Sequence, residues 1–420
     1  MDKIIVQGGF PLYGTVKVSG AKNSALPILF STLLASGNHK LRNIPHLKDI
    51  ESTLELLQSL NCETTLENHV VTVKTEKTKN LEAHYDLVRK MRAGVLCLGP
   101  LLARYGFARV SLPGGCAIGA RPINLHLDAL EKMGAEIKIA EGYVEATCPK
   151  LTGAIIVFDT VTVTGTENIL MAATLAQGTT RIENAAKEPE VLDLATYLNK
   201  MGAKIKGAGT GIITVEGVTE LKAAEFDIMP DRIEAGTLLL AGAISSGEIE
   251  IEGFDPELVE SVTLKLREIG FKIESLPQGR KGLKIYSSTK WGATDVTTAP
   301  FPGFATDLQA QFMALMCLAD GTSIINEAIF ENRFMHVQEL LRLGADISPR
   351  THVAIVRGKP GGLTGAPVMA TDLRASASLV LAGLAARGQT TVSRIYHLDR
   401  GYENLEKKLA SLGANIQRSQ

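Results

Sequence analysis

Aromatic residues are scarce in this chain, 5% of 420 residues with a single tryptophan. They are not interleaved with basic residues, so the stacking platforms and basic stripes of a nucleic-acid module are missing. An excess of either charge is missing too: 44 Lys and Arg stand against 45 Asp and Glu, a formal net charge of −1. Nothing global therefore draws the chain to nucleic acid or to an anionic membrane. The most apolar run, AGVLCLGPLLA at 93–103, is too short to cross a bilayer. The opening MDKIIVQGG has neither an apolar core nor a small-residue cleavage pattern, so no signal peptide is expected. The five cysteines (Cys62, Cys97, Cys116, Cys148, Cys317) are odd in number and scattered. That argues against a disulfide framework and, without an export signal, for a reducing cytoplasm. No HxxxH, HExxH or CxxC spacing occurs, and no metal site is expected. GxxxxGK[ST] is absent as well, and KGAGTGI at 206–212 lies between strand-like KIK and IITV, where it reads as a hairpin turn.

What is present is length, apolar content and repetition. Hydrophobic residues make up 45% and charged residues 21%, the mix of a folded globular protein. At this length two domains are expected. One phrase, the end of an amphipathic helix followed by a strand, recurs as LEKMGAEIKI, LNKMGAKIKG, LREIGFKIES, LLRLGADIS and LASLGANIQ, with a degenerate copy in LLQSLNCETTL. Its turn residues fall at 61, 134, 202, 270, 344 and 413. A second phrase keeps the same beat: ASGNHKLRNI, RYGFARVSL, AQGTTRIENA, SSGEIEIEGF, ADGTSIINEA and ARGQTTVSRI. Each copy follows an apolar helical segment such as 24–35, 307–319 or 375–386. Helices apolar on all sides are buried. Six units of this kind, three and three, predict two similar α/β domains with strands outside and helices inside.

The buried helices begin at polar positions: Lys22–Asn23, Arg92, Thr166–Glu167–Asn168, Asp231–Arg232, Asp307 and Asp372–Leu373–Arg374. Thr306 and Thr371 read as N-caps. Lys22, Arg92, Arg232 and Arg374 do not, because a cation at a helix N-terminus opposes the dipole. They suit a multiply anionic ligand instead, held in a cleft if the two domains oppose these faces. In SLPGGCAIGARP at 111–122, Cys116 on its own reads as a small turn residue, as a reactive thiol, or as part of a phosphate cradle. Cys97 and Cys317 lie within apolar helices and read as core thiols.

VSGAKNSALPIL (18–29), SLPGGCAIGARP, TENI with AATLAQGTTRIENAAKEPE (166–190), FENRF (330–334) and TDLRA (371–375) closely resemble the UDP-N-acetylglucosamine-specific branch of the enolpyruvyl transferase family. The similarity runs from about Val6 to Ile416. The resemblance implies an inside-out α/β barrel of two domains with three repeated units each. The boundaries would be 22–229 for an N-terminal domain carrying the Cys116 loop, and 1–21 plus 230–420 for the other. The site would lie in the cleft between them. It further implies transfer of the enolpyruvyl group of phosphoenolpyruvate to the 3′-hydroxyl of UDP-N-acetylglucosamine through a tetrahedral ketal, with release of phosphate. No metal or organic cofactor is implied, and no nucleic-acid or membrane partner; the setting is cytoplasmic peptidoglycan synthesis.

The same resemblance distributes the roles. Cys116 matches a mobile-loop acid that forms a covalent phosphothioketal adduct and is attacked by fosfomycin. Lys22, Arg121 and Arg400 match the phosphate-binding residues, with Arg92 close by. Arg333 and Arg374 match the groups near the phosphoenolpyruvate carboxylate, although an ion pair between domains is the plainer reading of either. Asp307 matches the base beside the sugar hydroxyl, and Asp372 a carboxylate that handles protons, although it also reads as a helix cap. Asn23 matches a donor to the sugar. Arg121, Pro122, Ile123, Asn124 and Leu125, then Thr162, Val163, Thr164 and Gly165, and Ile329 match the uridine-diphosphate positions. Asn124 stands where many members carry aspartate, and Thr164 where many carry glycine. The competing readings are a shikimate 3-phosphate enolpyruvyl transferase, which lacks the cysteine loop and the TENI and ENAA stretches, and a non-catalytic sugar-nucleotide-binding paralogue.

Overall fold

Each copy of the repeat builds one four-stranded sheet. In the computed structural model, which describes residues 2–78, 80–112 and 123–419, the second copy is the simplest. Glu82–Ala83 pairs in parallel with Phe107–Ser111, which runs antiparallel to Tyr143–Thr147, and that strand antiparallel to Glu136–Ala140. The other five sheets keep this order of one parallel and two antiparallel pairings. The parallel step needs a crossover; in four of the sheets the apolar helix supplies it, whereas Gly37–Arg42 and Tyr13–Lys17 take their parallel partners, Glu225–Asp227 and Glu248–Glu252, from far along the chain. Strands such as Lys3–Gln7 and Val70–Thr75 alternate between buried and half-buried residues, so one face of each sheet lies on helices and the other meets solvent.

Two compact units result. One holds the described residues up to Ser19 and from Pro230 onward; the other holds those between Gly20 and Met229. Each has its own hydrophobic core. In the first unit the helices Arg232–Ile244, Gln309–Met316 and Leu373–Ala385 pack on one another, and each backs its own sheet. In the second, Lys22–Ser31, Val163–Ala173 and the Arg92–Cys97 and Leu98–Tyr105 pair also pack on one another. These helices are buried nearly throughout, as their all-round apolarity requires. The sheets stay separate, and among the described residues none closes on itself.

Local signals explain the regularity. After each amphipathic helix the chain turns through a left-handed residue: Asn61 at φ 66°, then Gly134, Gly202, Gly270, Gly344 and Gly413 at 92° to 110°. An asparagine serves in the degenerate copy because it tolerates that region better than other side chains. The segment 206–212 is a hairpin turn, joining Lys204–Lys206 to the antiparallel Ile212–Glu216. The third buried helix, however, starts at Val163, before the expected Thr166. Thr162 caps it, its hydroxyl accepting from Gly165 N at 3.2 Å. Thr166, one turn in, donates to Thr162 O and accepts from Ala186 N. The apolar run at 93–103 is also divided, because a 3-10 turn, Arg92–Cys97, precedes the α-helix. Cys62, Cys97, Cys148 and Cys317 are buried and free, and burial pushes the Cys97 and Cys317 thiols up to about 12. Among the described residues no helix is long and apolar enough to cross a membrane.

Candidate functional site

In the unit formed by the chain from Pro230 onward, Asp307 lies between two guanidinium groups. Its Oδ1 accepts from Arg333 Nη2 and its Oδ2 from Arg374 Nη2, both at 2.8 Å. The arginine side chains are buried, at 6% and 4% exposure, whereas the Asp307 side chain keeps 26%. The pairing runs within one unit, so the reading of Arg333 or Arg374 as an ion pair between domains is wrong; the partner, Asp307, belongs to the same core. Burial alone would raise the Asp307 carboxyl, but the charges of Arg374 and Arg333 outweigh it and hold the group well below its ordinary range. Arg374 answers in kind, since burial would lower it and Asp307 raises it. Two cations share one carboxylate, and Arg374 Nη1 is buried with no hydrogen-bond partner among the described residues. Such a cluster has room for one more anion.

Each member is fixed by its element. Asp307 sits in the 3-10 turn Thr306–Leu308, and its carbonyl accepts from Gln311 Nε2 at 3.0 Å. That amide also donates to Tyr402 Oη and Thr237 Oγ1, and the Arg374 guanidinium lies 5.2 Å from the centre of the Tyr402 ring. Arg374 occupies the first turn of Leu373–Ala385. Asp372 caps that helix, its Oδ1 accepting from Arg374 N at 2.9 Å and Ala375 N at 3.0 Å. The threonines read as caps do not cap: the N-cap before Thr306 is Ala305, Thr306 Oγ1 instead donates to Glu327, and Thr371 Oγ1 is buried without a partner among the described residues. Asp372 is also felt by two histidines. His336 is lowered to about 4 by burial, opposed by Asp372, with Arg333 adding to the fall. His397 is lowered by burial and by Arg400, again against Asp372. Arg333 and Asp372 thus both act on His336, and Arg400 and Asp372 on His397. Ile329, four residues before Arg333 in the sequence, is 37% exposed.

In the unit from Gly20 to Met229, Lys22 opens the helix Lys22–Ser31 and its Nζ bonds Asp49 Oδ2 at 3.1 Å, both side chains being buried. Asn23 follows it, half-buried, and Arg92 begins the turn Arg92–Cys97. The two segments expected to meet a nucleotide are brought together by His126. Burial lowers this ring to about 4, so it is neutral at pH 7. Nδ1 faces the Asn168 amide at 3.0 Å, which leaves the proton on Nε2, directed at Thr164 Oγ1 at 3.4 Å. The helix Asn124–Lys132, preceded by Ile123 and including Leu125, is thereby tied to Val163–Ala173. Gly165 is required in the capped turn, because a Cβ there would lie 2.4 Å from Thr162 Cγ2. Glu167 is buried deeper in this helix and is pushed well above its ordinary range, by burial first and then by Glu190 and Glu188. Cys116, Arg121 and Pro122 lie outside the described residues.

Asp193 yields a pH prediction. Its Oδ2 accepts from Ser24 Oγ, beside Lys22, and from Met229 N at 3.1 Å. Burial pushes its carboxyl from 3.8 up to about 6, against those two hydrogen bonds. An acid raised on folding favours the native state while protonated, and that contribution is lost as pH climbs from about 4 to about 6. Asp193→Asn removes the titration. In urea unfolding from pH 4 to 7, its stability relative to wild type is expected to rise by about 2–3 kcal/mol.

Sequence reasoning missed Asp49, Gln311 and Tyr402. Only Gln311 carried a local signal, standing four residues after Asp307 and so on the same helical face.

Comparison with known proteins adds an independent line. The model of a family described as EPSP synthase (3-phosphoshikimate 1-carboxyvinyltransferase) matches residues 6–409. A protein of Bdellovibrio bacteriovorus, named UDP-N-acetylglucosamine 1-carboxyvinyltransferase, is 64% identical over 415 residues, covering 99% of this chain and 100% of its own length. One from Solidesulfovibrio magneticus with the same name is 57% identical over 418 residues, with 100% of both chains covered. Among solved structures, the enolpyruvyl transferase NikO from Streptomyces tendae superposes with a TM-score of 0.88 at 26% identity, over 100% of this chain and 99% of its own. The EPSP synthase of Acinetobacter baumannii shares the fold, with a TM-score of 0.77 at 18% identity and 100% of both chains covered.

Proposed function

The chain belongs to the enolpyruvyl transferase family, and from that premise we propose that it transfers the enolpyruvyl group of phosphoenolpyruvate to the 3′-hydroxyl of UDP-N-acetylglucosamine, releasing phosphate. The observation that carries this reading is the Arg333–Asp307–Arg374 cluster. It combines what the chemistry needs near one carbon: a carboxylate open enough to take a hydroxyl proton, and guanidinium forks with spare capacity for a planar carboxylate. Relatives that share more than half of this chain's residues carry the name of the sugar-nucleotide enzyme, which favours that acceptor over shikimate 3-phosphate.

The roles follow. Phosphoenolpyruvate places its carboxylate on Arg333 and Arg374 and its phosphate near Lys22, Arg92, Arg121 and Arg400. Asp307 takes the proton of the sugar 3′-hydroxyl as that oxygen attacks C2. Cys116 supplies a proton to the methylene carbon, and a tetrahedral ketal forms. Loss of a proton from the new methyl group and of phosphate then gives the product, with Asp372 in the proton handling. Asp307 is a weak base while both guanidinium groups hold it. An incoming carboxylate that takes over part of their charge raises its affinity for a proton at the moment the base is needed. Asn23 serves the sugar; segments 121–125 and 162–165 with Ile329 serve the nucleotide. The reaction belongs to peptidoglycan synthesis in the cytoplasm.

A coupled phosphate-release assay tests the proposal. Release should require phosphoenolpyruvate and UDP-N-acetylglucosamine together; release with shikimate 3-phosphate instead, or none with either acceptor, would overturn it. Cys116→Asp keeps a proton donor but no thiol, so it is expected to retain turnover while escaping inactivation by fosfomycin, an epoxide. Inactivation of that variant at the wild-type rate would remove Cys116 from the chemistry.

A further inference from the structure

Glu327 directly follows the strand Gly321–Asn326 and is 1% exposed, yet its carboxylate collects four hydrogen bonds. Oε1 accepts from Thr298 Oγ1 at 3.0 Å, Ile329 N at 3.0 Å and Phe330 N at 3.1 Å; Oε2 accepts from Thr306 Oγ1 at 2.8 Å. The direction of each is fixed. Amides can only donate. Thr298 Oγ1 accepts from Ala328 N at 2.9 Å, and Thr306 Oγ1 accepts from Arg333 Nη1 at 3.2 Å, so both hydroxyl protons are left for Glu327. Arg333 is therefore met from two sides by groups that Glu327 holds. Thr306 accepts from its Nη1, and the Phe330 ring, whose backbone Glu327 fixes, lies 5.1 Å from its guanidinium.

We propose that Glu327 is a positioning residue for phosphoenolpyruvate: acting through the Thr306 hydroxyl and the Phe330 backbone, it sets the plane of the Arg333 fork and frees that fork to share its charge between Asp307 and an incoming carboxylate. This rests on the reading of Arg333 as a carboxylate-binding group. The polarity of the relay is the essential part. A carboxylate draws the Thr306 proton toward itself and presents the hydroxyl lone pairs to Arg333, whereas an amide at Oε2 turns an N–H toward the hydroxyl and breaks that order.

Glu327→Gln is a sparing variant, because its carbonyl oxygen can keep the three bonds at Oε1 and only the Thr306 link reverses. The expected result is a KM for phosphoenolpyruvate about 10-fold higher, kcat within about threefold of wild type and a KM for UDP-N-acetylglucosamine changed less than twofold, the loss of one charge-assisted hydrogen bond. Thr306→Val should reproduce this split, Thr306→Ser should restore wild-type values, and the Glu327→Gln/Thr306→Val double variant should be no worse than either single one. If Glu327→Gln does not fold, the Thr306 pair reads the same link. An unchanged phosphoenolpyruvate KM in Thr306→Val, or equal rises for both substrates, overturns the proposal. A wild-type protein that releases no phosphate overturns the underlying reading instead. In that event the Arg333 Nε–H NMR signal of the ligand-free protein decides: it should move in Glu327→Gln and Thr306→Val but not in Thr306→Ser, and an unmoved signal refutes the relay.

Discussion

Asp307→Asn is expected to lower kcat about 1,000-fold, within the range that a positioned base contributes, without raising the KM for phosphoenolpyruvate. The amide cannot take a proton from the sugar hydroxyl. It also withdraws the charge that competes with the substrate for Arg333 and Arg374, so the clamp is more available to phosphoenolpyruvate. Stability moves the other way. Two buried guanidinium groups lose their shared counter-charge, a cost of about 3 kcal/mol, visible as a lower urea midpoint. Steady-state kinetics and urea unfolding on one preparation check both. Turnover within fivefold of wild type would make Asp307 a neutralising anchor and nothing more.

Arg374→Gln should raise the KM for phosphoenolpyruvate at least 100-fold, because the amide carries no charge and cannot offer a paired fork. Its signature is a changed acid limb. Asp307 is lowered on folding by Arg374 and Arg333, against its burial. A lowered acid contributes stability above its unfolded value near 4, and that contribution is lost as pH falls through the folded value. Removing Arg374 brings the folded value back toward the ordinary one. Wild type should therefore exceed Arg374→Gln in stability by about 2–3 kcal/mol above pH 5, and the gap should narrow as pH falls below 4. A gap that stays constant from pH 3 to 7 would mean the loss is packing against Tyr402 and not charge.

The repeat was legible because its markers are local. A glycine after an amphipathic helix answers to the left-handed turn at its own position, and Asn61 shows the rule holding where glycine is replaced. The identities of the charged site residues were legible through motif, but their partnerships were not. Arg333 and Arg374 reach Asp307 across 26 and 67 positions, and nothing in either neighbourhood specifies the other. Nor does similarity of phrase guarantee similarity of use. TDLQA and TDLRA read as twins, yet in the second Asp372 caps the helix, whereas in the first Thr306 turns to Glu327 and Asp307 to the arginines. Tertiary partners outbid the local cap in one copy and not in the other.

The sheet that holds Lys3–Gln7 sets an order on folding. That strand is interior, flanked by Gln389–Ser393 and Asn415–Ser419, with Lys3 opposite both Ser393 and Ser419. Tyr13–Lys17 likewise waits for Glu248–Glu252. By contrast, the unit from Gly20 to Met229 contains all its own strands, since Glu225–Asp227 returns to complete the sheet begun by Gly37–Arg42. As synthesis proceeds, this middle unit can close once residue 227 has emerged. The earlier-made strand, with its Ile4 and Val6 destined for the core, must meanwhile remain unpaired until some four hundred later residues arrive. Vectorial synthesis thus gives the later-finished unit a long exposed wait, and it is there that a chaperone would have most to protect.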